Sequence, residues 1–257
     1  MTLLKADNIT MRFGGLTAVD SFKIEIEPGE IVGLIGPNGA GKTTVFNMIT
    51  GIYTPTENRI YFQEEDITGL KPDRIAKMGI ARTFQNIRLL DNLSVLDNVM
   101  IGTHLHLKSN LFSAIFRLPG YVKEENELYE KSRQLLKKVE LDEYAGEKAG
   151  SLPYGKQRKL EIARALATEP RLLLLDEPAA GMNPQESKEL VDFIRQIRDE
   201  FEVTVFLIEH DMKVVMEICE RILVLDYGVT IAEGKPEEIK NNPEVIKAYL
   251  GVDVVNA

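Results

Sequence analysis

Gly36-Pro37-Asn38-Gly39-Ala40-Gly41-Lys42-Thr43-Thr44 fits the phosphate-loop pattern G-x-x-x-x-G-K-[ST] without a mismatch. The apolar run 31–35 before it predicts a short strand, and residues 45–49 after it predict a helix that ends at Gly51. Glycines let the backbone fold tightly, so that successive N–H groups face phosphate oxygens, and the helix N-terminus adds a favourable dipole. A glycine-rich turn that opens a helix by chance is the alternative, but the strand–loop–helix context favours binding of a nucleoside triphosphate.

A second motif, Arg171-Leu172-Leu173-Leu174-Leu175-Asp176-Glu177-Pro178, places two acids at the end of an apolar run. Four leucines without alternation predict a strand covered on both faces, as in a parallel sheet. Open α/β sheets bind ligands at the carboxyl ends of their strands, so Asp176 is a candidate to support Mg²⁺. We expect Lys42 to lie along the β- and γ-phosphates and the Thr43 hydroxyl to hold the same metal. Glu177 is a candidate general base that polarises the attacking water.

The composition is typical of an ordinary globular protein. Of the 257 residues, 44% are hydrophobic and 28% are charged. No apolar run reaches the roughly 18 residues that a transmembrane helix needs, and residues 1–7 lack the pattern of a secretory signal. Cys219 is the only cysteine, so no intrachain disulfide can form, which fits a reducing, cytosolic location. The formal net charge of −9 argues against a nucleic-acid partner.

Local patterns predict an α/β chain whose leucine-rich strand lies in a parallel sheet. Half-buried strands are expected where apolar and polar residues alternate, over 3–10 and 22–27. Further strands are predicted over 60–62, 172–175, 203–208, 221–226 and 229–232. Helices are predicted over 72–78, 123–141, 155–168 and 185–200, with a further helix start at Ser94 and short helices within 236–249.

Three features each leave two interpretations open. Phe13 lies beside flexible glycines and is either part of the core or a ring that stacks on a base. His210 follows a strand at its carboxyl end and is either structural or a sensor of the γ-phosphate. Residues 104–122 mix apolar, aromatic and basic side chains, and form either a local hydrophobic plug or an exposed docking surface.

With the phosphate loop, the second motif and His210 in this order, the chain resembles an ATP-binding cassette (ABC) ATPase over about residues 3–251. The stretch Leu152-Pro153-Tyr154-Gly155-Lys156-Gln157 and the helix after it match the place of the family signature L-S-G-G-Q. Gln85 fits the glutamine of the Q-loop in that family. His210 fits the switch histidine, and Phe13 fits the aromatic residue that stacks on adenine.

The resemblance implies the P-loop NTPase fold of ABC ATPases, with a RecA-like core, an antiparallel β subdomain and a helical signature subdomain. It implies one nucleotide-binding domain over residues 1–251, with the helical subdomain at about 86–168, followed by a tail over 252–257. It also implies ATP and Mg²⁺ as ligands. Gln85 would contact the metal and would act in hydrolysis with Glu177 and His210.

The signature and the D-loop depart from the family pattern. Pro153 replaces the serine that binds the γ-phosphate of the partner's ATP, and proline cannot make that bond. Gly155 and the helix N-terminus behind it still offer backbone N–H groups to a phosphate, so Tyr154 and Gly155 are the candidate contacts with the partner's ATP. In the D-loop, residues 180–183, Asn183 stands where aspartate is usual. The resemblance therefore implies that the site facing the partner differs from the chain's own site.

Residues 81–86, 104–122 and 208–212 look most like those of the ATPase subunit of branched-chain amino-acid importers. This resemblance implies a peripheral subunit on the cytoplasmic face of the cell membrane, docked on two permease subunits through residues 86–122. It also implies a second ATPase subunit and, indirectly, an extracytoplasmic binding protein. ATPases of lipid or lipopolysaccharide exporters, and soluble ABC ATPases acting on nucleic acid or ribosomes, are the alternatives. The sequence gives neither the transported substrate nor whether the two ATPase subunits are identical.

Overall fold

The computed structural model describes residues 1–106 and 119–250, which fall into two compact units. The first unit combines Met1–Gln85 with Arg171–Ala257, and the second is Asn86–Pro170. Most of the candidate docking segment, 104–122, lies outside the described residues, so both interpretations of it stay open. No helix in the described ranges is long and apolar enough to cross a membrane.

Ten strands lie in the described ranges, all in the first unit, and form two sheets. The strands are β1 Leu4–Phe13, β2 Leu16–Ile26, β3 Ile31–Ile35, β4 Glu57–Phe62, β5 Glu65–Asp66, β6 Ile80–Arg82, β7 Leu172–Asp176, β8 Thr204–Ile208, β9 Arg221–Asp226 and β10 Val229–Gly234. One sheet has the order β2-β1-β4-β5 and is antiparallel, and the other has the order β10-β9-β3-β8-β7-β6. In the six-stranded sheet every pairing from β9 to β6 is parallel, whereas β10 is antiparallel to β9. This mixture of sheets confirms the predicted α/β class.

The strands at the centre of the parallel sheet are buried along their whole length. Every residue of β3, β7 and β8 is buried, as expected for strands with both faces covered. Phe46 packs on Phe206 with ring centroids 5.1 Å apart, so the helix after the phosphate loop is anchored on β8. The single thiol, Cys219, is also buried, and burial raises its pKa.

The described helices follow the sequence signals at their ends. They are α1 Lys42–Ile49, α2 Pro72–Met78, α3 Val95–Thr103, α4 Pro119–Lys138, α5 Tyr154–Leu166, α6 Pro184–Phe201, α7 Met212–Ile218, α8 Pro236–Lys240 and α9 Pro243–Leu250. Helix α2 begins at Pro72 and ends at Gly79, which is left-handed at φ +106°, as its proline and glycine predict. Ser94 and Asp97 form a reciprocal capping box at the start of α3.

Strands β5 and β6 and helix α7 were absent from the sequence prediction, and helix α4 begins earlier than predicted. Helix α7 was missed because its seven residues are too few to show a periodic pattern, although the side chain of Asp211 caps it by accepting from Lys213 N at 2.8 Å. Strand β6 has only three residues and depends on its pairing with β7. Helix α4 starts at Pro119 rather than at residue 123, since proline is well suited to a first helical turn.

Candidate nucleotide-binding and hydrolysis site

Four neighbouring parallel strands end at one edge of the six-stranded sheet, and a predicted site residue follows each of them. The phosphate loop follows β3, and His210 lies two residues after β8. Asp176 ends β7 with Glu177 directly behind it, and Gln85 lies three residues after β6. The sheet order β3-β8-β7-β6 therefore brings together groups that lie far apart in the sequence.

The glycines of the phosphate loop are required by its backbone. Gly36 has φ +151°, and a Cβ there would lie 2.0 Å from the carbonyl oxygen of Leu225. Gly41 has φ +104°, and a Cβ there would lie 2.5 Å from the carbonyl oxygen of Ala18. Both positions exclude any other residue type, so the loop holds its shape through packing against neighbouring backbone.

The N-terminus of α1 leaves its amide groups available to an anion. Among the described residues, no side chain caps this helix, and its first turn contains no acid. Ala40 is buried and Pro37 half-buried, whereas Asn38, Gly39 and Thr43 are exposed and Thr44 is partly so. The loop thus presents its exposed residues at the open helix end, as phosphate binding requires.

The side chain of Lys42 is buried against the backbone of its own phosphate loop. Its ammonium group donates to the carbonyl oxygens of Gly36 at 2.7 Å and Pro37 at 3.0 Å. Burial lowers the pKa of Lys42, and the nearby carboxylates of Glu177 and Asp176 oppose that shift. The charged ends of the two predicted motifs therefore face each other, and a phosphate group would supply further negative charge to a cation that burial disfavours.

The three predicted catalytic residues meet at a single oxygen atom. Gln85 Nε2 donates to Glu177 Oε2 at 2.8 Å, and His210 Nδ1 lies 3.3 Å from the same oxygen. Glu177 has φ +46°, an uncommon left-handed conformation for a non-glycine residue, and its amide donates to the carbonyl of Ile208 at 2.9 Å. The side chain of Glu177 is 17% exposed, so water can reach its carboxylate.

Asp176 has a partner that the sequence analysis did not assign. Arg82 Nη2 donates to Asp176 Oδ2 at 2.7 Å, and each side chain is 8% exposed. Arg82 Nη1 donates to Asn47 Oδ1 on α1 at 2.7 Å, and the guanidinium carbon lies 5.6 Å from the ring centroid of Phe46. A guanidinium fork suits two acceptors in a fixed plane, so Arg82 joins the strand bearing Asp176 to the phosphate-loop helix. The charged end of the apolar strand 80–82 was the signal that could have indicated this pair.

Phe13 is the last residue of β1, and part of its ring is exposed to solvent. It is 42% exposed, and its ring meets that of Tyr53 edge-on with centroids 5.2 Å apart. The ring is thus supported by Tyr53, while part of its surface remains exposed to a planar ligand. This geometry accommodates either interpretation of Phe13, so base stacking stays a prediction.

The signature region lies in the second unit, at the start of α5. The helix begins at Tyr154, which is 41% exposed, and a Cβ at Gly155 would meet nothing within 4 Å. Lys156, which stands where the family has glutamine, lies over the ring of Tyr144 with Nζ 3.6 Å from the centroid. The start of α5 thus keeps an open surface beside Gly155, while Lys156 is used in packing.

Asn183 in the D-loop has a structural use. Its side-chain oxygen accepts from the amides of Gln185 at 2.9 Å and Glu186 at 3.0 Å, and it caps α6. Asparagine and aspartate are about equally good at this position. The replacement of aspartate therefore leaves the helix start intact.

Comparison with known families identifies the family of this chain. The family model described as ABC transporter matches residues 19–180, more than half of the chain. The chain belongs to the ABC transporter family of ATP-binding proteins. A second model, described as branched-chain amino acid ATP-binding cassette transporter, matches residues 229–255 of this ABC protein. The resemblance drawn from the phosphate loop, signature and switch histidine is confirmed.

Two curated relatives are similar to this ABC protein over nearly its whole length. One is the high-affinity branched-chain amino acid transport ATP-binding protein BraF of Pseudomonas aeruginosa, 48% identical over 97% of this chain and 98% of the relative. The other is LivG of Escherichia coli strain K12, a protein of the same description, with the same identity and coverage.

Two solved structures show the same fold. The ADP conformation of MJ1267, an ATP-binding cassette of an ABC transporter, has a TM-score of 0.86 at 32% identity and covers 98% of this chain and 100% of that one. A dimeric post-hydrolysis state of the ATP-binding cassette MJ0796, bound to ADP and Pi, has a TM-score of 0.74 at 27% identity, with coverages of 91% and 98%. These likenesses confirm the P-loop ABC ATPase fold.

Proposed function

We propose that this ABC protein hydrolyses Mg²⁺-ATP and couples hydrolysis to the uptake of branched-chain amino acids through two membrane permeases. The observation that carries the hydrolytic part is the meeting of Gln85 and His210 at one oxygen of Glu177, beside the phosphate loop. The importer part is supported by the match at residues 229–255 and by the likeness to BraF and LivG. These relatives favour import over the lipid-exporter and ribosome-associated alternatives.

In the proposed mechanism, the protein binds and orients ATP rather than forming a covalent intermediate. Backbone N–H groups of the loop 36–44 and the ammonium of Lys42 hold the phosphates, and Phe13 stacks on the adenine. Glu177 accepts a proton from the attacking water, and His210 orients the γ-phosphate. Gln85, which donates to Glu177, is the last residue of the first unit before Asn86.

The residues at the sheet edge fit a magnesium ion. The Thr43 hydroxyl at the first turn of α1, the Asp176 carboxylate and the amide oxygen of Gln85 are hard oxygen donors of the kind that Mg²⁺ prefers. Bound with the nucleotide, the ion would neutralise charge that develops on the phosphate oxygens. Arg82 keeps the Asp176 carboxylate in one orientation at this edge.

Removal of magnesium tests that assignment. With EDTA in excess, we expect ATP turnover to fall on the order of 100-fold or more, because charge on the transferred phosphoryl group is no longer neutralised. ADP binding measured by calorimetry should persist, since Lys42 and the loop amides do not need the metal. Turnover that is unchanged in EDTA would contradict the metal assignment.

The proposed partners are two permeases, a second ATPase subunit and, indirectly, an extracytoplasmic binding protein, with this subunit on the cytoplasmic face of the membrane. In this arrangement Tyr154 and Gly155, at the start of α5, face the ATP of the second ATPase subunit. The dimeric structure of MJ0796 supports a working pair. The second subunit is either another copy of this chain or a different ATPase.

The partner proposal is tested by affinity purification of the tagged chain from detergent-solubilised membranes. We expect two permeases to copurify, and we expect deletion of the gene to abolish uptake of labelled leucine, isoleucine and valine. A second ATPase of different sequence in the eluate would identify the mixed pair, and its absence the identical pair. Ribosomal partners without any membrane protein would contradict the importer function and leave only the ATPase chemistry.

A further inference from the structure

Glu209, directly before His210, is a fully buried acid that the mechanism above does not use. It follows β8 and is 0% exposed. Within the described part of the chain, the only basic residue with a side chain at ion-pair distance is His210, whose Nδ1 lies 3.9 Å from Glu209 Oε2. A buried carboxylate is costly unless it is compensated, so its environment needs an explanation.

Three backbone amides take the place of a counter-ion. Glu209 Oε1 accepts from the amide of Ala179 at 2.8 Å, and Oε2 accepts from the amides of His210 at 3.0 Å and Asp211 at 3.3 Å. Burial raises the pKa of Glu209, and these amides together with His210 oppose the shift. Both carboxylate oxygens therefore accept hydrogen bonds, Oε1 from the turn after β7 and Oε2 from the turn after β8.

The two turns are those that carry the proposed catalytic pair. Ala179 lies two residues after Glu177, in the turn that follows β7, and His210 lies in the turn that follows β8. The amide of Glu177 donates to the carbonyl of Ile208 at the end of β8, which is a second bond between the two segments. The position of Glu177 relative to His210 thus depends on Glu209.

We propose that Glu209 is a positioning residue for hydrolysis, which fixes the backbone of His210 against the turn after Glu177 and so maintains the 3.3 Å contact between their side chains. The inference rests on the proposed function, since it assumes that Glu177 and His210 act on ATP. Glu209 acts only through these two residues.

The chemistry of the site requires a carboxylate rather than an amide. An ionised carboxylate only accepts hydrogen bonds, which matches three converging N–H donors. Glutamine has nearly the same shape, but its NH₂ group would face at least one of those donors. One turn would then lose its hydrogen bond while the side chain still fills the same space. Glu209→Gln should therefore shift the two turns relative to each other with little change in packing.

A matched control lies at the other end of the same strand. Thr204 is 1% exposed, and its hydroxyl oxygen accepts from the amide of Gly29 at 2.9 Å. Thr204→Val also removes a buried acceptor from a backbone amide while keeping the shape of the side chain. It is expected to lower the melting temperature without altering the chemistry.

The experiment compares kcat, the dissociation constant for ATP and the melting temperature of the purified full chain and its variants. Measured well below the melting temperature, Glu209→Gln should lower kcat by roughly 10- to 100-fold, because a small misplacement of catalytic groups is enough for such a loss. Its ATP dissociation constant should stay within about threefold of the parent, since the phosphate loop is untouched. Thr204→Val should keep kcat within about twofold.

A double variant tests whether Glu209 acts through His210. In a His210→Ala background, Glu209→Gln should lower kcat by a much smaller factor than it does in the parent, because the effects of residues that act through one another are not additive.

Several outcomes overturn the inference. A kcat for Glu209→Gln within twofold of the parent would do so, as would equal losses of kcat in Glu209→Gln and Thr204→Val. If Glu209→Gln does not fold, Glu209→Asp replaces it, because it keeps the charge but is one methylene too short to reach both turns, and the same loss of kcat is expected. A parent chain whose hydrolysis is insensitive to His210→Ala and Glu177→Gln overturns the proposed function and this inference with it. If His210→Ala and Glu177→Gln lower kcat but Glu209→Gln does not, only this inference is overturned and the proposed function stands.

Discussion

Replacing Glu177 by glutamine is expected to lower steady-state ATP hydrolysis by about 10³-fold while leaving ATP binding intact. The amide keeps the size of the carboxylate but cannot accept a proton from water. Gln85 and His210 both meet Oε2 of Glu177, so the change also removes the negative charge that these two groups face. Because ATP is bound but not cleaved, we expect the variant to accumulate as closed pairs of ATPase subunits.

The measurement combines phosphate release, equilibrium binding of ATP and size-exclusion chromatography with Mg²⁺-ATP. Glu202→Gln is a matched control, since Glu202 is also a left-handed glutamate, at φ +50°, but only ends α6. It should keep the parental turnover. If Glu177→Gln hydrolyses ATP at the rate of the parent, Glu177 is not the base, and the three-residue cluster is not the hydrolytic centre.

Features specified by neighbouring residues could be predicted from the sequence. Helix α2 was predicted with its observed bounds, because Pro72 and Gly79 act on the backbone at their own positions. The buried strand 31–35 was also predicted with its bounds, and the leucines 172–175 predicted most of β7, since an uninterrupted apolar run is a local signal. The same reasoning placed the start of α3 at Ser94.

Contacts between distant segments could not be predicted in this way. Arg82 and Asp176 are 94 positions apart, and their pairing exists only because β6 lies beside β7 in the sheet. Glu209 shows no periodic pattern, and its role depends on the amide of Ala179, 30 positions away. The residues left the role of His210 open between a structural and a phosphate-sensing one, and only the family resemblance grouped it with Glu177, because single-sequence patterns carry no information on strand order.

The largest effect on stability is expected from Arg82→Met. The substitution leaves the 8%-exposed side chain of Asp176 without its cation, and breaking one side of a buried ion pair typically costs about 3–5 kcal/mol of unfolding free energy. The acceptor on Asn47 loses its donor as well. Methionine fills much of the volume beside the Phe46 ring, so the loss reports mainly on charge and hydrogen bonding.

Urea unfolding with and without Mg²⁺-ADP tests this expectation and connects it to the nucleotide site. If Asp176 supports the metal, Mg²⁺-ADP should raise the unfolding free energy more in Arg82→Met than in the parent, because the ion supplies the missing positive charge. Arg59→Met is the control, since Arg59 pairs with Asp66 at the surface with a side chain 66% exposed, and little change in the unfolding free energy is expected. A cost for Arg82→Met no larger than for Arg59→Met would show that Asp176 does not depend on Arg82. If Mg²⁺-ADP raises the unfolding free energy equally in the parent and in Arg82→Met, Asp176 does not support the metal. The pair of Arg82 and Asp176 would then stabilise the fold alone.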